Sequence, residues 1–139
     1  MLRFVDSNVF LHAYLKPRRQ LSPKEQIIKK QATDIVSRLR DGEEALTSAC
    51  HLAEVVNILE SGRGLGESLG FLSWALSGKN FKVVEVGRDE YEGSLPVAQD
   101  SEVSANDALA YVLMMREGVT EIYSFDKHFD KLQEIKRLP

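Results

Sequence analysis

Apolar segments of two different periods alternate along most of this chain, and that alternation limits the folds open to it. Short apolar or β-branched runs, predicted to be strands, lie at residues 2–5, 45–47, 81–86 and 121–125. Longer segments with apolar residues at helical spacing separate them. Strands that alternate with helices in this way predict an α/β domain with a mainly parallel sheet.

The helical segments begin and end at recognisable residues. Ser22-Pro23-Lys24-Glu25 combines a capping box with proline at the first helical position, and its helix is predicted to stop near Asp41-Gly42. Further helices are predicted over residues 49–60, 67–76, 89–99, 104–115 and 129–132, with a last strand near residue 135. Gly93 and Pro96 are expected to weaken the helix over residues 89–99.

Length and composition exclude several classes of protein. The 139 residues favour a single domain over residues 1–139, on a prior of about 100–200 residues per domain. Cys50 is the only cysteine, so neither an internal disulfide nor a multi-cysteine zinc motif is available. The longest apolar run, residues 108–115, is much shorter than the ~20 residues of a membrane span. Because no signal-peptide pattern is present either, we expect a cytoplasmic protein that does not contact a membrane.

Two aspartates lie at the carboxyl ends of predicted strands. Asp6 lies inside the apolar stretch FVDSNVFL, and Asp126 follows the strand of residues 121–125. A buried carboxylate is costly unless it is paired, and parallel sheets bind ligands at the carboxyl ends of their strands. Each aspartate also has an alternative role in a turn or cap, because aspartate often bonds nearby backbone N–H groups.

Two more acids lie near helix starts. Ser104-Ala105-Asn106-Asp107 is a formal capping box, which offers Asp107 a structural role. The helix after it is apolar on every face, however, and is therefore predicted to be buried. Glu54 lies nearly opposite the apolar stripe of its own helix, so periodicity alone predicts an exposed side chain. That helix follows a strand, which would bring its first turns to the same edge of the sheet.

Converging carboxylates favour a divalent cation. Mg²⁺ and Mn²⁺ prefer carboxylate and water oxygens, and a cation relieves the repulsion among three or four acids. A cation held in this way can activate water and stabilise charge at a phosphodiester. The acids therefore favour metal-dependent phosphoryl chemistry, while their roles in turns and helix caps stay open as alternatives.

Other catalytic classes fit this chain less well. It contains no G-x-S-x-G motif, no Walker A motif and no G-x-G-x-x-G after a strand. Segments such as Asp126-Lys127-His128 offer mixed nitrogen and oxygen ligands, but without the spacing of a zinc site. A phosphatase of the haloacid dehalogenase kind needs a second acid two residues after Asp6, where Asn8 stands.

Four segments, in order, resemble the motifs of PIN-domain proteins, and most of all the toxin subunits of VapBC-type toxin–antitoxin pairs. They are FVDSNVFL at residues 4–11, HLAEVV at 51–56, NDALA at 106–110 and YSFDKHF at 123–129. The resemblance covers essentially the whole chain. It implies a three-layer α/β/α sandwich with a mainly parallel central sheet, and a ribonuclease that depends on Mg²⁺ or Mn²⁺.

The resemblance also implies which residues form the site. The catalytic acids would be Asp6, Glu54, Asp107 and Asp126, and the metal ligands among them Asp6, Asp107 and Asp126. The supporting candidates are Ser124, Asn8 and Asp130. Asp130 is included because many relatives have a further acid two residues after the fourth aspartate, where this chain has His128.

The implied partners are an RNA substrate, a small antitoxin and a second copy of the chain in a homodimer. Two alternatives stay open: a housekeeping PIN-type RNA-processing nuclease, and a catalytically silent scaffold that binds RNA or protein. All four acids are present, which disfavours the silent scaffold.

Charge is distributed unevenly along the chain. Residues 1–82 carry twelve Lys and Arg against nine Asp and Glu, whereas residues 83–139 carry six against twelve. Such runs are usually solvated surfaces, but beside a nuclease site they become candidates for contact with RNA. The candidates are Lys16, Arg18, Arg19, Lys24, Lys29 and Lys30.

Overall fold

The computed structural model describes residues 1–139 and contains five strands and six α-helices. The strands are β1 (Arg3–Val5), β2 (Ala45–Ser48), β3 (Phe81–Val84), β4 (Glu121–Tyr123) and β5 (Lys136–Leu138). The helices are α1 (Ser7–Tyr14), α2 (Pro23–Arg40), α3 (Ala49–Arg63), α4 (Leu65–Ser77), α5 (Arg88–Ser101) and α6 (Ala105–Glu117). A short 3-10 helix, Lys127–Lys131, lies between β4 and β5.

All five strands are parallel and lie in the order β3-β2-β1-β4-β5. The chain builds outward from β1 to β3, then crosses back to place β4 on the other side of β1. The order therefore reverses between β1 and β4, and the carboxyl ends at such a point are where parallel sheets bind ligands. The predicted α/β fold with a mainly parallel sheet is confirmed.

Helices cover both faces of the sheet and make three layers. The neighbouring β1 residues Phe4 and Val5 point to opposite faces, as successive strand residues must. Val5 joins the core formed with α1 to α4, and Phe4 joins the core formed with α5 and α6. Both residues are fully buried. None of the helices is long and apolar enough to cross a membrane.

Several element boundaries differ from those predicted. The strand predicted over residues 81–86 ends at Val84, and the helix predicted from residue 67 begins at Leu65. α5 extends to Ser101 with Pro96 inside it. Pro96 is exposed, and it lacks the N–H that would otherwise donate to the carbonyl four residues earlier in α5. The strand predicted near residue 135 is β5, which pairs with β4.

Candidate active site

A cleft of about 440 Å³ opens at the carboxyl ends of β1 and β4. Its walls come from the first turns of α1, α3 and α6 and from the segment after β4. The cleft is lined by Asp6, Ser7, Asn8, Glu54, Ser104, Ala105, Asn106, Asp107 and Asp126. The four predicted catalytic acids thus line one cavity.

Asp6 is the N-cap of α1 and is 7% exposed. Its Oδ1 accepts a hydrogen bond from the Ser7 N–H (2.9 Å), and its Oδ2 accepts one from the Ser124 hydroxyl (2.7 Å). Burial nevertheless raises its pKa to about 6, and the charges of Glu54 and Asp126 add to the shift. The capping role and a place in the cleft are therefore compatible.

Glu54 is half-buried and lies in the cleft, not on the outer surface that periodicity predicted. The prediction of an exposed side chain was wrong because β2 ends and α3 begins at the same edge of the sheet as β1. Two donors from other elements bond Glu54 Oε2, each at 3.2 Å: the Ser7 hydroxyl from α1 and the Asn106 amide from α6. They turn the carboxylate toward the other acids.

Asp107 is 6% exposed in the first turn of α6. Its N–H donates to the Ser104 hydroxyl (3.1 Å), but its carboxylate makes no return bond to the Ser104 N–H, so only half of the capping box forms. The Oδ2 atom is buried and has no hydrogen-bond partner. Burial, and after it the neighbouring Asp126 and Asp6 carboxylates, together raise the Asp107 pKa to about 7.

Ser124 and Asn8 connect the segment after β4 to the start of α1. The fully buried Ser124 hydroxyl donates to Asp6 and accepts the Asp126 N–H (3.0 Å). The Asn8 amide donates to Ser124 Oγ (3.4 Å) and its carbonyl accepts the Phe125 N–H (3.3 Å). These bonds hold Asp6 and Asp126 in a defined relation to each other.

His128, which sequence reasoning did not include among the site residues, lies beside two of the acids. Its Nδ1 is 2.9 Å from Asp126 Oδ1 and 4.0 Å from Asp107 Oδ2. One ligand atom from each of the three residues fits within a mutual distance of 4.8 Å. The Asp126-Lys127-His128 spacing was the available signal, because the short 3-10 helix turns both side chains to the same side.

Asp130 is not among the residues that line the cleft. Its exposed carboxylate forms two hydrogen bonds with Arg137, at 3.0 and 3.2 Å, and this pair lowers its pKa. Arg137 also donates to the Ser124 carbonyl (3.3 Å). Asp130 therefore contacts the site only through Arg137.

Half of the predicted RNA-contact residues have partners within the chain. Arg19 pairs with Glu25 through two bonds, and Lys30 pairs with Asp34. Lys29 Nζ donates to three carbonyls at the end of α1. None of the six basic residues lines the cleft.

The donor set of the cleft suits a divalent metal ion. It presents carboxylates from four separate elements, one of them with a buried oxygen that no protein donor bonds. Burial and the neighbouring carboxylates raise the pKa values of Asp6 and Asp107, and a cation beside them would favour their charged forms. Oxygen-rich sites of this kind fit Mg²⁺ or Mn²⁺.

Comparison with known proteins agrees with this geometry. The family model of the PIN domain matches residues 3–135. The chain therefore belongs to the PIN-domain family. A search of curated protein sequences finds no significant match.

Solved structures with the same fold include toxins of toxin–antitoxin systems. VapC20 of Mycobacterium tuberculosis, a sarcin–ricin loop cleaving toxin, is 19% identical with a TM-score of 0.67, covering 94% of this chain and 93% of its own. A toxin–antitoxin complex from Klebsiella pneumoniae is 12% identical with a TM-score of 0.67, covering 96% and 95%. VapBC2 of Rickettsia felis, bound to a promoter DNA fragment, is 12% identical with a TM-score of 0.66, covering 99% and 98%. At these identities the likeness shows the shared three-layer fold.

Proposed function

We propose that this protein is a divalent-metal-dependent endoribonuclease and the toxin of a toxin–antitoxin pair. The observation that carries the proposal is the convergence of Asp6, Glu54, Asp107 and Asp126 on one cleft at the point where strand order reverses. Membership of the PIN-domain family and the fold shared with VapC toxins support it. The active domain in this proposal is residues 1–139, acting in the cytoplasm.

Asp6, Asp107 and Asp126 are the residues that would hold the ion, which we propose to be Mg²⁺ or Mn²⁺. The ion, when bound, supplies positive charge that activates water and offsets the charge of the scissile phosphate. Ser124 supports this set, because its hydroxyl orients Asp6 and accepts the Asp126 N–H. Asn8 in turn holds Ser124.

In this proposal Glu54 orients the attacking water and accepts its proton. The Ser7 and Asn106 donors both occupy Oε2, which leaves Oε1 free to face the cleft. The water oxygen attacks phosphorus as the bond to the 3′ oxygen breaks, and that oxygen takes a proton from solvent. The products are a 5′-phosphate and a 3′-hydroxyl, and the 2′-hydroxyl takes no part.

The proposed partners are an RNA substrate, a small antitoxin and a second copy of the chain. Solved structures of the same fold include toxin–antitoxin complexes, which supports the antitoxin. Lys16, Arg18 and Lys24 are the basic candidates whose side chains make neither an ion pair nor a hydrogen bond within the chain, so they are the first to test as RNA contacts.

The test is RNA cleavage by purified wild-type protein and by Asp6→Asn and Glu54→Gln. Asp89→Asn is the matched control, because Asp89 is exposed in α5 and does not line the cleft. We expect Asp6→Asn to abolish cleavage and Glu54→Gln to lower kcat by about 10²–10⁴-fold, the usual contribution of a general base. Full activity of both site variants would contradict the proposal.

The toxin role is tested separately by expression in a bacterial host. Wild-type protein should arrest growth, and Asp6→Asn should not. Co-expression of the small gene adjoining the toxin gene should restore growth. Active nuclease that leaves growth unaffected would instead favour the housekeeping role.

A further inference from the structure

The position of His128 gives the proposed metal centre a nitrogen atom. Its Nδ1 lies 2.9 Å from Asp126 Oδ1 and 4.0 Å from Asp107 Oδ2. In an octahedral site with metal–ligand distances of about 2.1 Å, neighbouring ligand atoms lie about 3.0 Å apart and opposite ones about 4.2 Å. The two distances from His128 Nδ1 therefore match a neighbouring and an opposite position of one coordination shell.

A second observation is that one oxygen of Asp107 in this part of the cleft has no hydrogen-bond partner. The Asp107 side chain is only 9% exposed, and its buried Oδ2 accepts no hydrogen bond. Its oxygen faces His128 Nδ1 across the 4.0 Å gap. Buried polar atoms are almost always bonded, so an orphan acceptor of this kind indicates a missing ion or water.

A backbone hydrogen bond holds His128 close to Asp126. The His128 N–H donates to Asp126 Oδ1 at 2.9 Å, in the first turn of the 3-10 helix. His128 belongs to the short helix whose N-cap is Asp126, so its ring lies within reach of that carboxylate. Its side chain is 57% exposed, which leaves the ring accessible to an ion entering from solvent.

We propose that His128 Nδ1, together with Asp107 and Asp126, ligates the divalent ion, and that the centre therefore selects a first-row transition ion over Mg²⁺. Imidazole nitrogen suits transition ions, whereas Mg²⁺ favours carboxylate and water oxygens. The inference rests on the proposed metal-dependent function and adds the ligand that determines which ion is preferred. The competing role for His128 is a hydrogen bond to Asp126 with no contact to the ion.

Mn²⁺ is the probe that separates these two roles. The electron spin-echo envelope modulation spectrum of the Mn²⁺-loaded full chain should show modulation from a directly bound ¹⁴N nucleus. His128→Asp, which offers oxygen in place of nitrogen, should lose that modulation while still binding Mn²⁺. His12→Asn is the matched control, because His12 is also exposed but packs against Phe125 outside the cleft; it should keep the modulation.

Titration of the same proteins with Mn²⁺ and with Mg²⁺ gives a second readout. We expect His128→Asp to lower the ratio of Mn²⁺ affinity to Mg²⁺ affinity by about tenfold or more, in the range that changes around metal ligands produce. Wild-type protein that binds Mn²⁺ without ¹⁴N modulation would overturn the inference and leave the proposed nuclease intact. Wild-type protein that binds neither ion would overturn both.

Discussion

At the scale of single residues, the site consists of acids held where their charges repel each other. Each carboxylate oxygen of Asp6 accepts a hydrogen bond, whereas Oδ2 of Asp107 accepts none. Burial raises the pKa of Asp6 to about 6 and that of Asp107 to about 7. These carboxylates therefore lower the free energy of unfolding of the metal-free protein, and metal binding would raise it again.

The burial of Asp6 predicts a pH dependence for the metal-free protein. Because the folded pKa of Asp6 lies above its unfolded value of 3.8, its stabilising contribution is complete below about pH 4 and is lost as the pH rises through about 6. The shift corresponds to a loss on the order of 3 kcal/mol. Urea unfolding in EDTA at pH 4.5, 6 and 7.5 should show a smaller loss of stability toward high pH in Asp6→Asn than in wild type.

The comparison with Asp6→Asn isolates Asp6 from an opposite contribution. Burial lowers the pKa of His51 to about 4. The stability that His51 contributes is therefore complete above about pH 6.5 and is lost as the pH falls through about 4. Wild-type protein and Asp6→Asn both contain His51, so its contribution cancels when their pH profiles are compared. Identical pH profiles for wild type and Asp6→Asn would contradict the account of Asp6.

Ser124 supports a second residue-scale prediction, since its hydroxyl bonds both Asp6 and Asp126. Ser124→Ala should lower the free energy of unfolding by about 1–3 kcal/mol, the cost of unsatisfied buried groups, and should weaken Mn²⁺ binding. Ser94→Ala is the control: Ser94 is also buried, but its hydroxyl bonds the Tyr91 carbonyl in α5. Calorimetric titration should show unchanged Mn²⁺ affinity for Ser94→Ala; equal weakening in both variants would contradict the assigned role.

At the scale of elements, the pattern of strands and helices was predictable and the contacts between helices were not. The capping box at Ser22 and Glu25 forms as its sequence predicts, because both partners are local. Periodicity within α3, taken alone, predicted an exposed Glu54 because it does not describe the contacts that α1 and α6 make with this side chain. Local rules therefore identified helix starts, and long-range packing decided which side chains line the cleft.

The contact between α1 and α2 gives a prediction about a predicted RNA-contact residue. Lys29 of α2 donates to the carbonyls of His12, Ala13 and Leu15, at the end of α1 where a cation is favourable. Lys29→Gln should therefore lower the free energy of unfolding by about 1–2 kcal/mol. Lys24→Gln, at an exposed position in the same helix, should change it by less than about 0.5 kcal/mol. Urea unfolding of the two variants measures the difference, and equal stability would contradict the capping role.

At the scale of the whole molecule, four acids distant in sequence meet because the strand order reverses between β1 and β4. Their order along the chain could be read from the sequence, and the resemblance to PIN-domain proteins implied that they converge. The ring of His128 and the donors to Glu54 were not foreseen, because they depend on how the segment after β4 and the starts of α1 and α6 approach the other acids. The sequence also carries i,i+4 partners, such as Lys30 and Asp34, that reduce the basic surface available to RNA.

The uneven charge of the chain leads to a prediction about RNA affinity. Each phosphate contact made by a basic residue contributes about −0.7 to the slope of log K against log salt for single-stranded nucleic acid. Replacing Lys16, Arg18 and Lys24 together by Gln should therefore make that slope less steep by up to about 2. Filter binding in EDTA over a range of salt concentrations measures it. An unchanged slope would show that RNA does not contact these three residues and binds another part of the surface.

The most direct test of the central claim is to map the ends of RNA cleaved in Mn²⁺ and in EDTA. The four-carboxylate cleft predicts cleavage in Mn²⁺ only, with 5′-phosphate and 3′-hydroxyl ends, and with cleavage retained when the 2′-hydroxyl at the scissile position is removed. Cleavage that continues in EDTA, or 2′,3′-cyclic phosphate ends, would contradict a metal-dependent attack by water.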